Sequence, residues 1–137
     1  MNLFQHGYGV GIQMVEIILS ALLLTLIQSW LIPMLLNLGN LTFLLSNRDE
    51  DFEFSKITKR AQRASANLNE TLPIFITLML LGVIFDVDLT LLGSIWIALR
   101  VLFLTCYLGG IKIVRSGIWM ASVVTLVMMG LNLVAIV

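Results

Sequence analysis

Four long apolar stretches follow one another along the chain and dominate it. They occupy residues 14–36, 68–85, 89–108 and 118–137. A helix needs about 20 apolar residues to cross the hydrocarbon core of a bilayer, and each stretch approaches or exceeds that length. We therefore predict an integral membrane protein with four spanning helices, joined by one long connection and two short ones.

The composition supports a membrane environment. Of the 137 residues, 59% are hydrophobic and 12% are charged, whereas soluble domains have about 45–50% apolar and about 25% charged residues. So few charged side chains cannot cover a water-soluble globule. The formal net charge is zero, so no basic surface indicates a nucleic-acid partner, and we expect none.

Polar residues between the apolar stretches set the expected helix limits. We predict a single all-α domain, 1–137, built as a four-helix membrane bundle with helices at about 12–38, 55–85, 88–109 and 114–137. Ser55 is a suitable N-cap for the second helix. That helix is longer than a bilayer core is thick, so its first turns should project into water. The charged connector before it, 46–60, is expected to be a solvated loop.

The basic residues predict how the protein lies in the membrane. All Lys and Arg residues except Arg100 flank the first and third connections: Arg48, Lys56, Lys59, Arg60, Arg63, Lys112 and Arg115. The middle connection carries only Asp86 and Asp88. Because Lys and Arg accumulate on the cytoplasmic side, we expect both termini in the periplasm, or in a lumen, and the basic connections in the cytoplasm.

The metal-ligating side chains are too few for a metal site of the usual kinds. Cys106 is the only cysteine and His6 is the only histidine. These counts exclude an internal disulfide, a multi-cysteine metal site and a histidine cluster. We expect no metal ion.

A stripe of polar residues enters the membrane along the second helix. Arg60, Arg63, Asn67 and Glu70 fall within about an 80° arc of a helical wheel. On the third helix, Arg100 lies about 12 Å below its cytoplasmic end, which is deep for a permanently charged side chain. Tyr107 follows on the same face seven residues later, and Arg115 opens the fourth helix.

This polar stripe has two interpretations. Glu70 could pair with Arg63 or Arg100, and Asn67 could form a hydrogen bond across the bundle, so that the stripe only fixes helix packing. Alternatively, the four arginines converge on a single carboxylate, and the surplus positive charge attracts an anion. A small zwitterion with carboxylates and an ammonium group would suit such a site. If it also carries a thiol, a nearby arginine and tyrosine would favour the thiolate.

The pattern resembles the MAPEG family, the membrane-associated proteins of eicosanoid and glutathione metabolism. The resemblance rests on Arg63-Ala64-x-x-Asn67-x-x-Glu70-x-x-Pro73, on Arg100-x6-Tyr107, and on Arg115-Ser116. The connector LNLGNLTFLLSNRDED, residues 36–51, also looks like that of bacterial members. The resemblance implies a homotrimeric four-helix bundle with glutathione in each subunit interface, open to the cytoplasm, and a lipophilic second substrate.

The resemblance also implies roles for single residues. Six match glutathione-binding positions or a neighbour of them: Arg60, Arg63, Asn67, Glu70, Tyr107 and Arg115. Arg115 is similar to the arginine that stabilises the thiolate, with Tyr107 assisting, so these two are the expected catalytic residues. Arg100 matches an arginine of the bundle interior and is expected to be structural. The implied activity is a glutathione-dependent transferase or peroxidase.

Three departures from the family pattern limit this interpretation. Phe103 stands where several members have Tyr or His, Thr71 stands where some have Tyr, and the first helix contains no arginine. These differences argue against a dedicated leukotriene or prostaglandin synthase. Two other functions stay open: a non-catalytic membrane scaffold with the same fold, and a small exporter of lipophilic cations that uses Glu16 as its proton-coupled carboxylate.

Overall fold

The structure is a bundle of four long helices. The computed structural model describes the backbone of residues 3–40, 45–46 and 53–135, and the side chains of these residues from position 9 onward. Each of the four helices is long and apolar enough to cross a membrane, and within the described ranges all regular structure is helical. The prediction of an all-α protein with four spanning helices is therefore confirmed. The central part of the charged connector, including Arg48, lies outside the described residues.

The first spanning helix is interrupted near its end. An α-helix over Leu3–Leu26 widens into a π-helical turn at Ile27–Leu31, continues as Ile32–Leu36 and ends in a 3₁₀ turn at Leu38–Asn40. The interruption has a local cause, because Pro33 cannot donate a backbone hydrogen bond to the carbonyl four residues earlier and its ring crowds that carbonyl.

The second spanning helix runs over Lys56–Ile84. Ser55 caps it, because its Oγ accepts a hydrogen bond from the backbone N–H of Thr58 at 3.1 Å, which confirms the expected N-cap. At 29 residues the helix is about 44 Å long, beyond the roughly 30 Å of a bilayer core. Its basic first turns therefore extend past the hydrocarbon region when the apolar part is embedded.

The third and fourth helices complete the bundle. They run over Thr90–Gly109 and Lys112–Val134. The third helix packs against all three others. A two-residue connection joins it to the fourth helix. The first residue of this connection, Gly110, adopts φ 76°, a left-handed conformation that glycine tolerates without strain.

The core lies where the second and third helices meet. The ring of Phe75 stacks on Trp96, with centroids 4.0 Å apart and both side chains fully buried. Apolar residues of the first, second and fourth helices belong to the same buried cluster: Met14, Ile18, Ala21, Leu68, Met79, Leu126, Met129 and Leu133. The outward faces are rich in exposed Leu, Ile and Val, as expected for surfaces that contact lipid or another subunit.

Candidate functional site: a cationic cleft at one end of the bundle

A cleft of about 360 Å³ opens between the second, third and fourth helices near the end where the third helix finishes. This volume lies in the range of small-molecule sites, about 300–1,000 Å³. Its lining combines charged, amide, hydroxyl and aromatic side chains: Arg63, Ala66, Asn67, Glu70, Phe103, Tyr107, Arg115, Ser116 and Trp119. Such a lining can bind a polar ligand and, at its aromatic edge, an apolar one.

The second helix supplies the polar wall because its two faces differ. Ala64, Leu68 and Phe75 are buried against the rest of the bundle. On the adjacent face, Arg63, Asn67 and Glu70 are spaced four and three residues apart. They therefore share one side of the helix and line the cleft together. Arg63 and Glu70 are exposed, while Asn67 is half-buried.

The cleft holds more positive than negative charge. Within residues 9–40, 45–46 and 53–135 the structure contains one ion pair, between Lys59 and Glu53 with N···O 3.8 Å. Arg63, Arg115 and Glu70 therefore line the cleft without an ionic partner among these residues. Two guanidinium groups and one carboxylate are available to a ligand.

Aromatic rings orient the guanidinium of Arg115. Its Cζ lies 4.5 Å from the centroid of the Tyr107 ring, which is within the range of a cation–π interaction. Tyr107 in turn contacts Phe103 edge to face, with centroids 5.3 Å apart. Tyr107 and Arg115 therefore line the cleft as a contacting pair.

Arg100 lies behind the cleft wall rather than in it. Only 1% of its surface is exposed. Its Nη1 donates to Asn67 Oδ1 at 2.7 Å and its Nη2 donates to Thr71 Oγ1 at 2.8 Å. The guanidinium also lies over Trp96 at 5.0 Å and near Phe103 at 5.9 Å. The hydrogen bond across the bundle that the structural interpretation expected for Asn67 is therefore present, and Glu70 takes no part in it.

Arg60 also lies away from the residues that line the cleft. Its Nη1 donates to the backbone carbonyl of Leu108 at 3.4 Å. The guanidinium packs against Gly110 so closely that a Cβ there would lie 2.8 Å from Nη1. Arg60 thus holds the carboxyl end of the third helix, and its contact with glutathione stays a prediction.

The structure brings five of the six predicted binding residues into the cleft lining and leaves Arg60 outside it. The expected convergence of four arginines is only partly present, since Arg63 and Arg115 line the cleft while Arg60 and Arg100 have other partners. Sequence reasoning did not place Trp119 here. Its position one helical turn after Arg115 was the available signal, because side chains four residues apart share a face.

Glu16, the carboxylate of the exporter hypothesis, lies at a different site. It is exposed and lines a second cleft of about 390 Å³ together with Asp86 and mostly apolar residues. That cleft lies between the first helix and the end of the second.

No group of three or more His, Cys, Asp or Glu side chains that could hold a metal ion occurs in the part of the chain that the structure describes.

The fold and the cleft define an integral membrane protein of four spanning helices with a polar site at one end of the bundle. The model of the MAPEG family matches residues 17–135, nearly the whole chain, and the chain belongs to that family. The family is associated with glutathione, and its members are typically oligomeric membrane proteins. No curated protein and no solved structure matches the chain significantly.

Proposed function

We propose that the protein is a glutathione-dependent transferase or peroxidase that acts on lipophilic electrophiles or lipid hydroperoxides. The cleft lined by Arg63, Asn67, Glu70, Tyr107 and Arg115 is the proposed glutathione site. The observation that carries this proposal is the pair of guanidinium groups and the single carboxylate that face one cleft without ionic partners in the described residues.

Three groups of glutathione have a matching side chain in the cleft. The tripeptide has one ammonium group, two carboxylates and a thiol. Glu70 is the acceptor for the ammonium group, and Arg63 is the donor for a carboxylate, as charge-assisted hydrogen bonds favour. Arg115 and the Tyr107 hydroxyl are the donors for the thiolate. Donors that stabilise the charged form lower the pKa of a thiol and increase its nucleophilic fraction at neutral pH.

The proposed chemistry follows from that thiolate. In a transfer reaction, the sulfur lone pair forms a bond to an electrophilic carbon, and the leaving group departs with the bonding electrons. In a peroxidase reaction, two glutathione molecules are oxidised to the disulfide while the hydroperoxide is reduced to an alcohol and water. In both cases the residues of the cleft bind glutathione and hold the thiol deprotonated.

The second substrate is expected to arrive from the bilayer. Phe103 and Trp119 form the aromatic edge of the cleft, and the helices that frame it expose apolar side chains outward. A lipophilic molecule dissolved in the membrane can therefore approach the thiolate laterally, while glutathione enters from water.

Several features support the proposed assembly and orientation. The Asn69 side chain is exposed on the second helix and has no hydrogen-bond partner among the described residues, so its amide is available to a partner subunit. We propose a homotrimer with the cleft at each subunit interface. The basic residues around the cleft favour a cytoplasmic site in a bacterial inner membrane, with both termini periplasmic.

The experiment is calorimetric titration of the purified protein with glutathione, combined with the ultraviolet difference absorbance of the bound thiolate. We expect wild type to bind and to show the thiolate signal. Arg115→Ala should lose the signal, and Glu70→Gln should weaken binding by about tenfold or more, because a charge-assisted hydrogen bond is lost.

Lys112→Ala is the matched control, since this exposed cation lies one turn before Arg115 and does not line the cleft. It should bind like wild type. A wild-type protein with neither heat of binding nor a thiolate signal would contradict the proposed function.

One observation favours the alternative of a non-catalytic scaffold. The oxygen of Asn67 is engaged by Arg100, so part of the polar stripe forms a contact between two helices of the bundle. A scaffold predicts that Glu70→Gln lowers the stability of the assembly and leaves every ligand response unchanged. Stability and glutathione binding of this variant, measured on the same sample, separate the two functions.

A further inference from the structure

The contact between Arg100 and Asn67 fixes which end of the Asn67 amide is engaged inside the bundle and which end is left for another partner. A guanidinium group has only hydrogen-bond donors. The Asn67 atom that lies 2.7 Å from Arg100 Nη1 must therefore be the carbonyl oxygen Oδ1. The Nδ2 group, with both its hydrogens, points away from Arg100, and Asn67 is also one of the residues that line the cleft.

Arg100 is itself held firmly enough to impose this orientation. The Thr71 hydroxyl accepts from Nη2 at 2.8 Å and directs its own hydrogen to the backbone carbonyls of Asn67 and Leu68, at 3.2 and 3.1 Å. The guanidinium lies over Trp96, which is stacked on Phe75. Among the described residues Nε has no hydrogen-bond partner, so the hydrogen bonds of the guanidinium go to Asn67 and Thr71.

The buried charge of Arg100 has a second consequence. No carboxylate among the described residues forms an ion pair with it. A buried cation held only by an amide, a hydroxyl and aromatic rings keeps its full positive potential. That potential polarises the Asn67 amide so that its Nδ2 hydrogens become stronger donors, since linked hydrogen bonds strengthen one another.

We propose that Arg100 is a positioning residue that holds Asn67 as a hydrogen-bond donor to the cleft, so that this part of the site selects a carboxylate or another anionic oxygen of the ligand. The identity of the ligand rests on the proposed function. The inference adds the chemical role of Asn67 in binding that ligand. It assigns Arg100 an effect on ligand selection without any contact with the ligand.

The exchange Asn67→Asp is the sharpest test, because it changes the group that faces the cleft and keeps the group that faces Arg100. An aspartate would still accept from Nη1, but it would present an acceptor to the ligand. We expect Asn67→Asp to reduce glutathione affinity at least tenfold, and more than Asn67→Ala does. Its thermal unfolding midpoint should be no lower than that of Asn67→Ala. A loss of affinity in Asn67→Asp no larger than the loss in Asn67→Ala would overturn the proposal.

A double-mutant cycle tests whether Arg100 acts through Asn67. Arg100→Met should lower glutathione affinity about tenfold in the wild-type background and should have no further effect when residue 67 is already alanine. An equal loss in both backgrounds would show that Arg100 acts independently of Asn67 and would overturn the proposal. If Arg100→Met does not fold, Thr71→Val replaces it in the cycle, because it removes the second hydrogen bond of the guanidinium at nearly constant side-chain shape. Thr71→Val should lower glutathione affinity in the wild-type background and should have no effect on affinity when residue 67 is alanine.

A measurement without ligand separates this inference from the proposed function. In protein labelled with ¹⁵N-asparagine, the side-chain amide signals of Asn67 are assigned by their absence in Asn67→Ala. Arg100→Met or Thr71→Val should shift them and leave those of exposed Asn69 in place. Unchanged Asn67 signals would overturn the positioning role. Shifted signals together with no glutathione binding by wild type would sustain that role and contradict the proposed function.

Discussion

The guanidinium of Arg115 lies over the Tyr107 ring, 4.5 Å from its centroid, although the two residues belong to different helices. The connection between these helices has only two residues, so the last turn of the third helix and the first turn of the fourth stay close together. The pair therefore forms a preorganised unit, with a cation and a hydroxyl on one wall of the cleft. Its two parts can be tested separately.

Tyr107→Phe should separate the contribution of the Tyr107 ring to glutathione binding from the contribution of its hydroxyl. The phenylalanine ring still supports Arg115, so the loss of glutathione affinity should be smaller than in Tyr107→Ala. Loss of the hydroxyl removes one donor to the thiolate, which raises the pKa of the bound thiol. The thiolate absorbance should then be fully present only at higher pH, and a pH titration of that absorbance measures the shift. Tyr107→Ala should lower affinity as well, and a titration midpoint identical to wild type in Tyr107→Phe would exclude the hydroxyl from the thiolate contact.

Gly110→Ala should destabilise the protein. Its φ of 76° costs a residue with a Cβ about 1–2 kcal/mol, and the new methyl group would also displace the Arg60 guanidinium, whose Nη1 lies 2.8 Å from the Cβ position. We expect a loss of about 2 kcal/mol in unfolding free energy in detergent or bilayer. Gly109→Ala is the control, since its nearest neighbours are 3.8 Å away, and equal stabilities of the two variants would contradict this account.

Trp96→Ala should remove the centre of the core. The indole is fully buried and stacked on Phe75 at 4.0 Å. Lipid is as apolar as a protein interior, so the loss comes from packing and the residual cavity, and we expect about 3 kcal/mol. Reversible unfolding in mixed micelles measures it. Trp30→Ala serves as the comparison, because Trp30 is 78% exposed and its removal should cost less than about 0.5 kcal/mol.

Ser55→Ala should loosen the start of the second helix. The Ser55 hydroxyl accepts the backbone N–H of Thr58, and the loss of such a cap costs about 1 kcal/mol. Amide hydrogen exchange in the first turn should become faster by about fivefold. Ser94→Ala removes a hydroxyl that bonds to a carbonyl within the third helix, and it should leave exchange at the second helix unaltered. If both substitutions have the same effect there, Ser55 has no capping role.

The helical content could be predicted because the bilayer restricts what a backbone can do. A spanning segment has to satisfy its own N–H and C=O groups, so each long apolar run must be helical. The wheel positions of Arg63, Asn67 and Glu70 followed from the same periodicity, and the structure places all three in one cleft. The widening at Ile27–Leu31 was not predicted, because Pro33 indicates a disturbance but does not choose between a kink and a π turn.

The partners of the four arginines depended on the tertiary structure. The sequence determined the number of spanning helices, the face of the second helix that carries polar groups, and the excess of cations near one end. It did not determine that Arg60 holds the carbonyl of Leu108, or that Arg100 engages Asn67 and Thr71. These contacts depend on the rotation and axial offset of one helix against the next. Side-chain packing across the bundle sets both quantities, whereas hydrophobic periodicity describes each helix separately.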